Sequence, residues 1–296
     1  TYVEGLKPYI NKKTKRIHSF FHQTITATGR ISSTEPNLQN IPRDGGIRCM
    51  FKATDGYYMV GADYSQQEPR VLAHLCQDEN MINAYKSGRD LYSTMASLAF
   101  HVPYEQCKEF NPDGTTNHEG KERRSRIKAV VLGLMYGRGD ASVGEQLGIP
   151  VEEARELSKA LFNAFPKMKQ YIEDTKAAVK KIGYTTTLWG RRRYLEYITR
   201  DKYEYKYGVN RPVNFDPLFD SEDDGSQEVS QEIKDYYNEI LDKANYGKRK
   251  QIIADAERNG ILIEDNGYWI AESERQVVNS IVQGSAADMT KRAMVA

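Results

Sequence analysis

Long apolar runs, cysteine and net charge are all scarce in this sequence of 296 residues. No apolar stretch is long enough to span a bilayer, and the first residues carry no signal-peptide pattern. The three cysteines, Cys49, Cys76 and Cys107, lie far apart without metal-ligand spacing, which predicts free thiols in a reducing compartment. We therefore expect a cytoplasmic protein with no membrane partner.

The charges are balanced overall but unevenly distributed. The formal net charge is +1, which by itself does not indicate a nucleic-acid ligand. Lys121–Lys128 nevertheless holds five cations against one glutamate, and Arg191–Arg193 is a second basic cluster. Acidic residues dominate between Asp216 and Asp235. A nearly neutral protein with separate basic clusters can bind a polyanion.

A predicted strand that ends in a carboxylate is the centre of the sequence interpretation. Residues 57–62 are mostly β-forming and follow the turn pair Asp55-Gly56, so they predict a buried strand that ends at Asp63. An apolar-periodic run from Val71 predicts that a helix follows. A carboxylate at the tip of a core strand suits magnesium that carries a substrate phosphate. An aspartate in this setting is also common as a helix N-cap or turn residue, and Asp63 alone leaves both interpretations open.

The second informative stretch is a predicted helix, Lys121–Tyr136, with one face of mixed chemistry. Arg124, Lys128, Leu132 and Tyr136 recur every four residues and therefore share a stripe. A nucleoside triphosphate lying along this stripe would meet positive charge at its phosphates and a flat apolar surface at its base. The alternative is a helix with a solvated basic face, which is the commoner meaning of a run of cations.

The rest of the pattern is helical with polar connections. Thr24–Pro42 is rich in Gly, Pro, Ser, Thr and Asn around Arg30, so it fits contacts to sugars and phosphates as well as an ordinary polar loop. The further predictions are helices over Val71–Lys86, Leu91–Phe100 after the capping Asp90, Val151–Lys181 with a break near Pro166, and Gln276–Val295, with a hairpin over Ile261–Ile270 about Asn266-Gly267.

Five motifs in one order give the sequence a family resemblance. They are Thr26–Arg30 with Asn37–Pro42, Asp63–Arg70, Arg124–Lys128 with Tyr136-Gly137, Gly190–Arg193, and Gln283–Asp288. Together they resemble the polymerase domain of family A DNA polymerases, the bacterial DNA polymerase I type found also in many phages. Asp63–Arg70 resembles motif A, and Arg124–Lys128 with Tyr136-Gly137 resembles motif B on the O helix of the fingers. Five motifs in family order are very specific, and they cover the chain except for about residues 201–273.

The resemblance implies an α+β fold, a palm-and-fingers part of a right-hand polymerase in which an antiparallel palm sheet accompanies a helical fingers subdomain. The implied divisions are a thumb and palm junction over 1–20, palm with motif A over 21–100, fingers with the motif B helix over 101–200, an insertion over 201–273, and a palm helix over 274–296. The chain is expected to be truncated before motif C, whose aspartate binds metal in the family, and therefore to be nearly inactive alone. A monomer is expected.

The family's chemistry is DNA-templated transfer of dNTPs to a primer 3′ end, with two Mg²⁺ ions. By resemblance, Asp63 is catalytic and binds both ions, and the backbone carbonyl of Tyr64 helps to hold one. The resemblance also implies that Arg124 and Lys128 bind the triphosphate and that Glu68 rejects a ribose 2′-hydroxyl by bulk, while Tyr136 stacks near the templating base. The residues implied to contact DNA form two groups. Near the primer–template junction they are Arg30, Asn279 and Gln283, and along the duplex they are Asn37, Gln39, Asn40 and Arg48.

Some positions depart from the family pattern or stay open. Leu132 stands where Phe or Tyr is usual in motif B, which bears on sugar selectivity and base stacking, and Pro69 and Tyr92 are also unusual. Arg191–Arg193 fit either template binding or pairing with nearby acids, and Asp288 is interpreted as a helix-packing acid. Two alternative functions are a single-subunit phage-type RNA polymerase, which shares motifs A and B, and a non-catalytic nucleotide- or DNA-binding fragment. Glu68 and the motif ending at Arg30 argue against the RNA polymerase.

Overall fold

The computed structural model of the chain describes residues 2–42, 46–208 and 228–296. The described residues divide into two units. The first unit takes its residues from Thr1–Val179, Tyr184–Tyr194 and Arg275–Ala296, and the second from Lys180–Gly183 and Leu195–Glu274.

Helices dominate both units, and the strands form small antiparallel pairs, as the α+β prediction requires. The helices are α1 (Tyr2–Leu6), α2 (Gln67–Cys76), α3 (Glu79–Lys86), α4 (Leu91–Phe100), α5 (His118–Met135), α6 (Asp140–Leu147), α7 (Val151–Ala164), α8 (Pro166–Ile182), α9 (Gln231–Lys243), α10 (Tyr246–Arg258) and α11 (Gly267–Val295). The paired strands are β1 (Phe20–His22) with β2 (Ser32–Thr34), β3 (Tyr184–Thr186) with β4 (Arg192–Tyr194), and β5 (Tyr203–Tyr207) with β6 (Ile261–Asp265). Within the described residues, no helix is both long and apolar enough to cross a membrane.

The apolar faces of α4, α5 and α7 pack together in the first unit. Leu91 and Met95 share one face of α4, Ile127 and Val130 share one face of α5, and all four are fully buried with Leu161 of α7. Burying each such side chain contributes roughly 1.5–3 kcal/mol before the cost of ordering the chain. This packing fixes the rotation of α5 and therefore decides which of its residues remain accessible.

Several predicted helix limits are confirmed because local capping chemistry sets them. Helix α4 begins directly after Asp90, whose carboxylate accepts a hydrogen bond of 2.8 Å from the backbone N–H of Ser93. The predicted break near Pro166 separates α7 from α8. Helix α5 begins three residues earlier than predicted, because the Asn117 side chain caps it through the N–H of Gly120.

The helix predicted over Val71–Lys86 is interrupted. Gln77 has a left-handed backbone conformation, with φ 53°, and ends α2. The Asp78 side chain then accepts hydrogen bonds from the N–H groups of Asn80 and Met81, which starts α3. An apolar period alone does not reveal this break, because both helices bury one face against the same unit.

The buried strand predicted over residues 57–62 is wrong. Residues 57–64 have no regular secondary structure, and the side chains of Tyr58 and Val60 are 94% and 93% exposed. None of the described strands pairs with this segment. Strand propensity expresses how well a side chain fits a pleated, half-buried surface, so β-forming residues without a hydrogen-bonded neighbour do not make a strand.

The second unit contains a different pairing from the predicted hairpin about Asn266-Gly267. Strand β6 pairs with β5, and the N–H of Asn266 donates to the carbonyl of Lys202 at 2.8 Å, while Gly267 opens α11. The hairpin prediction was wrong because β6 buries Ile261 and Ile263 in a cluster that β5 and helices α9 and α10 complete. Part of the predicted insertion over 201–273 lies outside the described residues.

Candidate functional site

The two cations on α5 lie over one buried aromatic ring of α4. Lys128 is exposed, whereas the Arg124 side chain is 22% exposed. The centre of the Tyr92 ring is 5.5 Å from the guanidinium carbon of Arg124 and 5.9 Å from Nζ of Lys128. Burial raises the pKa of Tyr92 to about 12, so the ring stays neutral. The electron-rich ring face attracts both positive charges and helps to hold them side by side.

Arg124 is also oriented by an acid that the sequence marked only as a helix cap. Its Nε and Nη2 donate to the two carboxylate oxygens of Asp90 at 2.9 and 3.0 Å. Burial would raise the pKa of Asp90, but hydrogen bonds from Arg124 and Ser93 outweigh it and hold this pKa below its usual value. A guanidinium has five N–H donors, so this bidentate pair positions Arg124 without using all of them. Its Nη1 lies 4.0 Å from Glu109 Oε2, which is too far for a hydrogen bond and leaves donors for a second anion.

Glu68 joins motif A to the end of α5. The Tyr136 hydroxyl donates to Glu68 Oε2 at 2.7 Å, and the Arg30 guanidinium forms an ion pair with Oε1. The Glu68 side chain is only 12% exposed, so both of its oxygens are occupied in a partly dehydrated place. Burial, and next the hydrogen bond to Glu68, raise the pKa of Tyr136 to about 12. Three residues predicted from separate motifs therefore form one cluster, which we call the Glu68 cluster (Arg30, Glu68 and Tyr136).

A cavity of about 310 Å³ opens beside the Glu68 cluster. Arg30 and Glu68 line it together with Gln39 and, from α11, Ala287 and Lys291. Its walls combine an apolar surface with a few convergent polar groups, which is typical of a ligand-binding recess.

Asp63 and Tyr64 lie in the exposed segment before α2. The Asp63 carboxylate makes no hydrogen bond or ion pair with another described residue, so both of its oxygens are open. No three His, Cys, Asp or Glu side chains cluster as a metal site in the described parts of the chain. A single free carboxylate beside a backbone carbonyl nevertheless fits magnesium, which takes one or two protein carboxylates and fills its other positions with water and phosphate.

Comparison with known proteins identifies the family to which this site belongs. The model of DNA polymerase family A matches residues 1–214. The chain belongs to DNA polymerase family A. The match includes motifs A and B, hence Asp63, Glu68, Arg124, Lys128 and Tyr136.

Individual family A relatives agree with this assignment. The chain is 41% identical over 199 residues to the thermostable DNA polymerase I of Thermus aquaticus, covering 66% of this chain and 22% of that protein. It is 39% identical over 223 residues to DNA polymerase I of Geobacillus stearothermophilus, covering 74% of this chain and 24% of the relative. The chain thus spans less than a quarter of the length of these two relatives.

A solved polymerase structure is similar to almost the whole chain. The POL domain of Pol1 from M. smegmatis, in complex with DNA primer-template and dNTP, has a TM-score of 0.67 and 32% sequence identity. The similarity covers 99% of this chain and 39% of the other. The fold of the described residues is therefore that of part of a polymerase domain.

Three of the residues predicted to line duplex DNA make local hydrogen bonds in this family A chain. The Asn37 side chain accepts from the N–H of Gln39 at 3.0 Å and caps a short 3-10 helix. Gln39 Nε2 donates to the carbonyl of Ile31 at 2.9 Å, and Arg48 Nη2 donates to the carbonyl of Ile41 at 3.0 Å. All three side chains belong to exposed residues, so these bonds shape the loop without covering it.

The other predicted DNA contacts have unused polar groups. Asn40 is exposed and Gln283 is half-buried, and neither side chain has a hydrogen-bond partner among the described residues. Asn279 Oδ1 is buried and accepts no hydrogen bond within the described part of the chain. A buried acceptor without a donor is costly, and a donor from a ligand would satisfy it.

The arginine-rich segment that joins β3 to β4 packs against α11. Arg191 Nε donates to Asp288 Oδ1 at 2.9 Å, and its Nη2 donates to the carbonyls of Thr28 and Gly284 at 2.8 and 3.2 Å. Arg193 donates to Ser280 and to a glutamine of the same helix. For Arg191, pairing with an acid is the arrangement observed, and the packing role predicted for Asp288 agrees with it.

Gly137 at the end of α5 yields a stability prediction. Its φ is +68°, and a Cβ there would lie 2.4 Å from the Cα and 2.5 Å from the carbonyl oxygen of Arg275. We expect Gly137→Ala to lower the free energy of unfolding by about 3 kcal/mol, because it adds left-handed strain to a backbone clash. Chemical denaturation measures the change.

Gly139 provides the matched control for this change. It has φ −82°, and a Cβ there would meet no atom within 4 Å. Gly139→Ala is expected to lower the free energy of unfolding by no more than about 1 kcal/mol, which is the cost of replacing glycine by alanine at an N-cap. Equal destabilisation by the two substitutions would show that the close approach of Gly137 to Arg275 is not what requires glycine.

Sequence reasoning missed the contact between Asp90 and Arg124. The two residues are 34 positions apart, and the capping role of Asp90 already explained its presence. Capping uses only part of the hydrogen-bonding capacity of a carboxylate, so Asp90 could also accept hydrogen bonds from a cation. The one sequence signal for such a contact was the pair of cations on the next long helix.

Proposed function

We propose that this chain is part of a DNA-templated DNA polymerase that transfers dNTPs to a primer 3′ end. The observation that carries the proposal is the Glu68 cluster, in which residues of three separate family motifs touch. The family assignment and the fold similarity to a domain in complex with primer-template and dNTP support it. In the finer division, we propose that 21–100 and 274–296 form palm, that 101–200 forms fingers, and that 201–273 is an insertion.

The α5 stripe is the proposed nucleotide site. Lys128 offers an exposed point charge to the triphosphate, and Arg124 offers the donors that Asp90 leaves free. Leu132 and Tyr136 follow on the same stripe and present apolar surface to the base. Because phosphoryl transfer needs mainly positioning and charge neutralisation, this order of side chains suits the reaction.

Asp63 and the backbone carbonyl of Tyr64 are the proposed ligands for divalent metal, with two Mg²⁺ ions in the complete enzyme. When bound, such ions stabilise charge on the attacking and leaving oxygens. Asp63 is suited to this role because its carboxylate is exposed and unpaired among the described residues. Primer–template DNA is the proposed partner, with Arg30, Gln283 and Asn279 near the primer terminus.

A primer-extension assay with the complete polymerase tests this function. Templated incorporation of dNTPs with strong rejection of rNTPs is the expected result. Incorporation of rNTPs alone would instead establish a phage-type RNA polymerase, and nucleotide or DNA binding without turnover would establish a binding protein.

Replacing Glu68 tests how the sugar is selected. We expect Glu68→Ala to reduce the preference for dNTPs over rNTPs about tenfold, because a smaller side chain leaves room for the 2′-hydroxyl. Glu68→Gln keeps the bulk and an acceptor for Tyr136, so it is expected to retain the preference within about threefold. The ratio of kcat/KM for matched dNTP and rNTP pairs measures the effect, and a larger loss in the glutamine variant would rule out selection by bulk.

A further inference from the structure

A turn near the start of the chain presents lysines that the proposed nucleotide site does not use. Residues 11–16 read Asn-Lys-Lys-Thr-Lys-Arg, and no acidic residue occurs over residues 5–34. Lys12, Lys13 and Lys15 are exposed, and none has an ion-pair partner in the described parts of the chain. Three positive charges therefore stand close together without local neutralisation. We call residues 11–16 the basic turn.

The backbone of the basic turn is held closed by one asparagine. The Asn11 N–H donates to the carbonyl of Arg16 at 2.9 Å, and the N–H of Lys15 donates back to the Asn11 carbonyl at 2.8 Å. Asn11 Oδ1 accepts from the N–H groups of Lys13 and Thr14 at 2.9 and 3.0 Å. These four bonds fix the backbone from which the lysines project. The turn therefore loses less conformational entropy when the lysines bind an anion.

The base of the basic turn is anchored to its own unit. Ile10 and Ile17 form an antiparallel bridge where the turn begins and ends. The Arg16 guanidinium donates to the hydroxyl of Thr54, so this cation is used in holding the turn. The charges left for a partner are those of the three lysines.

We propose that the basic turn binds backbone phosphates of primer–template duplex, at a contact separate from the α5 nucleotide site. This inference rests on the proposed function for the identity of the partner. Duplex DNA carries one negative charge per roughly 1.7 Å of axis, so closely spaced ammonium groups meet several phosphates at once. Asn11 Oδ1 and the Arg16 guanidinium are bonded within the protein, and the three lysines act as point charges on phosphates, so we infer a contact that is independent of DNA sequence.

The test removes the three charges from the complete polymerase. We expect the variant Lys12→Ala/Lys13→Ala/Lys15→Ala to bind duplex about tenfold more weakly near 150 mM salt. The slope of log K against log salt should become shallower by about 2 to 3, because each lost phosphate contact removes about 0.9. Turnover at saturating DNA and dNTP should stay within about twofold of the wild type.

Two further variants separate local contact from general charge and from folding. Lys159→Ala/Lys169→Ala/Lys176→Ala removes the same charge from α7 and α8 and is expected to bind within about twofold of the wild type. Replacing the three lysines of the basic turn with arginine keeps the charge and should preserve affinity and salt slope.

The proposal is overturned if the alanine variant of the basic turn matches the α7 and α8 control, or if the arginine variant binds as weakly as the alanine variant. These outcomes leave the proposed function intact as long as the wild type extends primers. A wild type that neither binds duplex nor extends primers would instead refute the proposed function.

Discussion

Asp63→Ala in the complete polymerase is expected to lower nucleotide incorporation by at least about 10⁴-fold. Asp63 is an exposed carboxylate with no partner among the described residues, and it is the proposed protein ligand for metal in this chain. Losing it removes the charge that neutralises developing negative charge on the reacting oxygens. Duplex binding should stay within about twofold of the wild type, since that binding rests on cations elsewhere.

Single-turnover extension of a labelled primer measures incorporation, and fluorescence anisotropy measures duplex binding. Asp55→Ala is the matched control, because Asp55 is an exposed aspartate of the same irregular segment that precedes α2. It is expected to incorporate nucleotides within about twofold of the wild type. Preserved turnover in Asp63→Ala, or an equal loss in Asp55→Ala, would contradict the assignment of Asp63.

Lys128→Ala is expected to lower kcat/KM for dNTP by about 10³-fold. Lys128 is exposed on the stripe, and its Nζ lies 5.9 Å from the centre of the Tyr92 ring without a carboxylate partner among the described residues. Arg124 shares its donors with Asp90, so Lys128 is the cation of the pair that a triphosphate meets without competition. A point charge near the phosphates favours nucleotide binding, and it also stabilises the negative charge that develops on the leaving oxygens in the transition state.

Arg126→Ala is the matched control on the same helix. Arg126 lies off the stripe and pairs with Glu122 and Glu153 at 2.9 and 3.0 Å, so its loss should change kcat/KM by less than about threefold. Lys128→Arg should recover most of the loss, because arginine also suits phosphate. If Arg126→Ala and Lys128→Ala reduced kcat/KM equally, α5 would be acting through its general positive charge and the stripe would have no special role.

The α5 stripe could be predicted from the sequence, whereas the conformation of the segment before Asp63 could not. The order Arg124, Lys128, Leu132, Tyr136 follows from helical periodicity. Helix α5 carries the first three residues as predicted, and Tyr136 is its C-cap residue. The strand predicted before Asp63 failed, because a strand exists only with a neighbour. Composition cannot state whether that neighbour is present.

The sequence by itself determined the family motifs, the α5 stripe and the helix starts that side chains such as Asp90 cap, because periodicity and capping act within a few residues. Only the tertiary structure decided which charges meet. Glu68 contacts Arg30 and Tyr136 across 38 and 68 positions of the chain. Many acidic residues have a similar sequence separation from each cation, so the separation alone does not identify the pair. The packing of the helices decides which donors surround a partly buried carboxylate, and the carboxylate forms its hydrogen bonds with those donors.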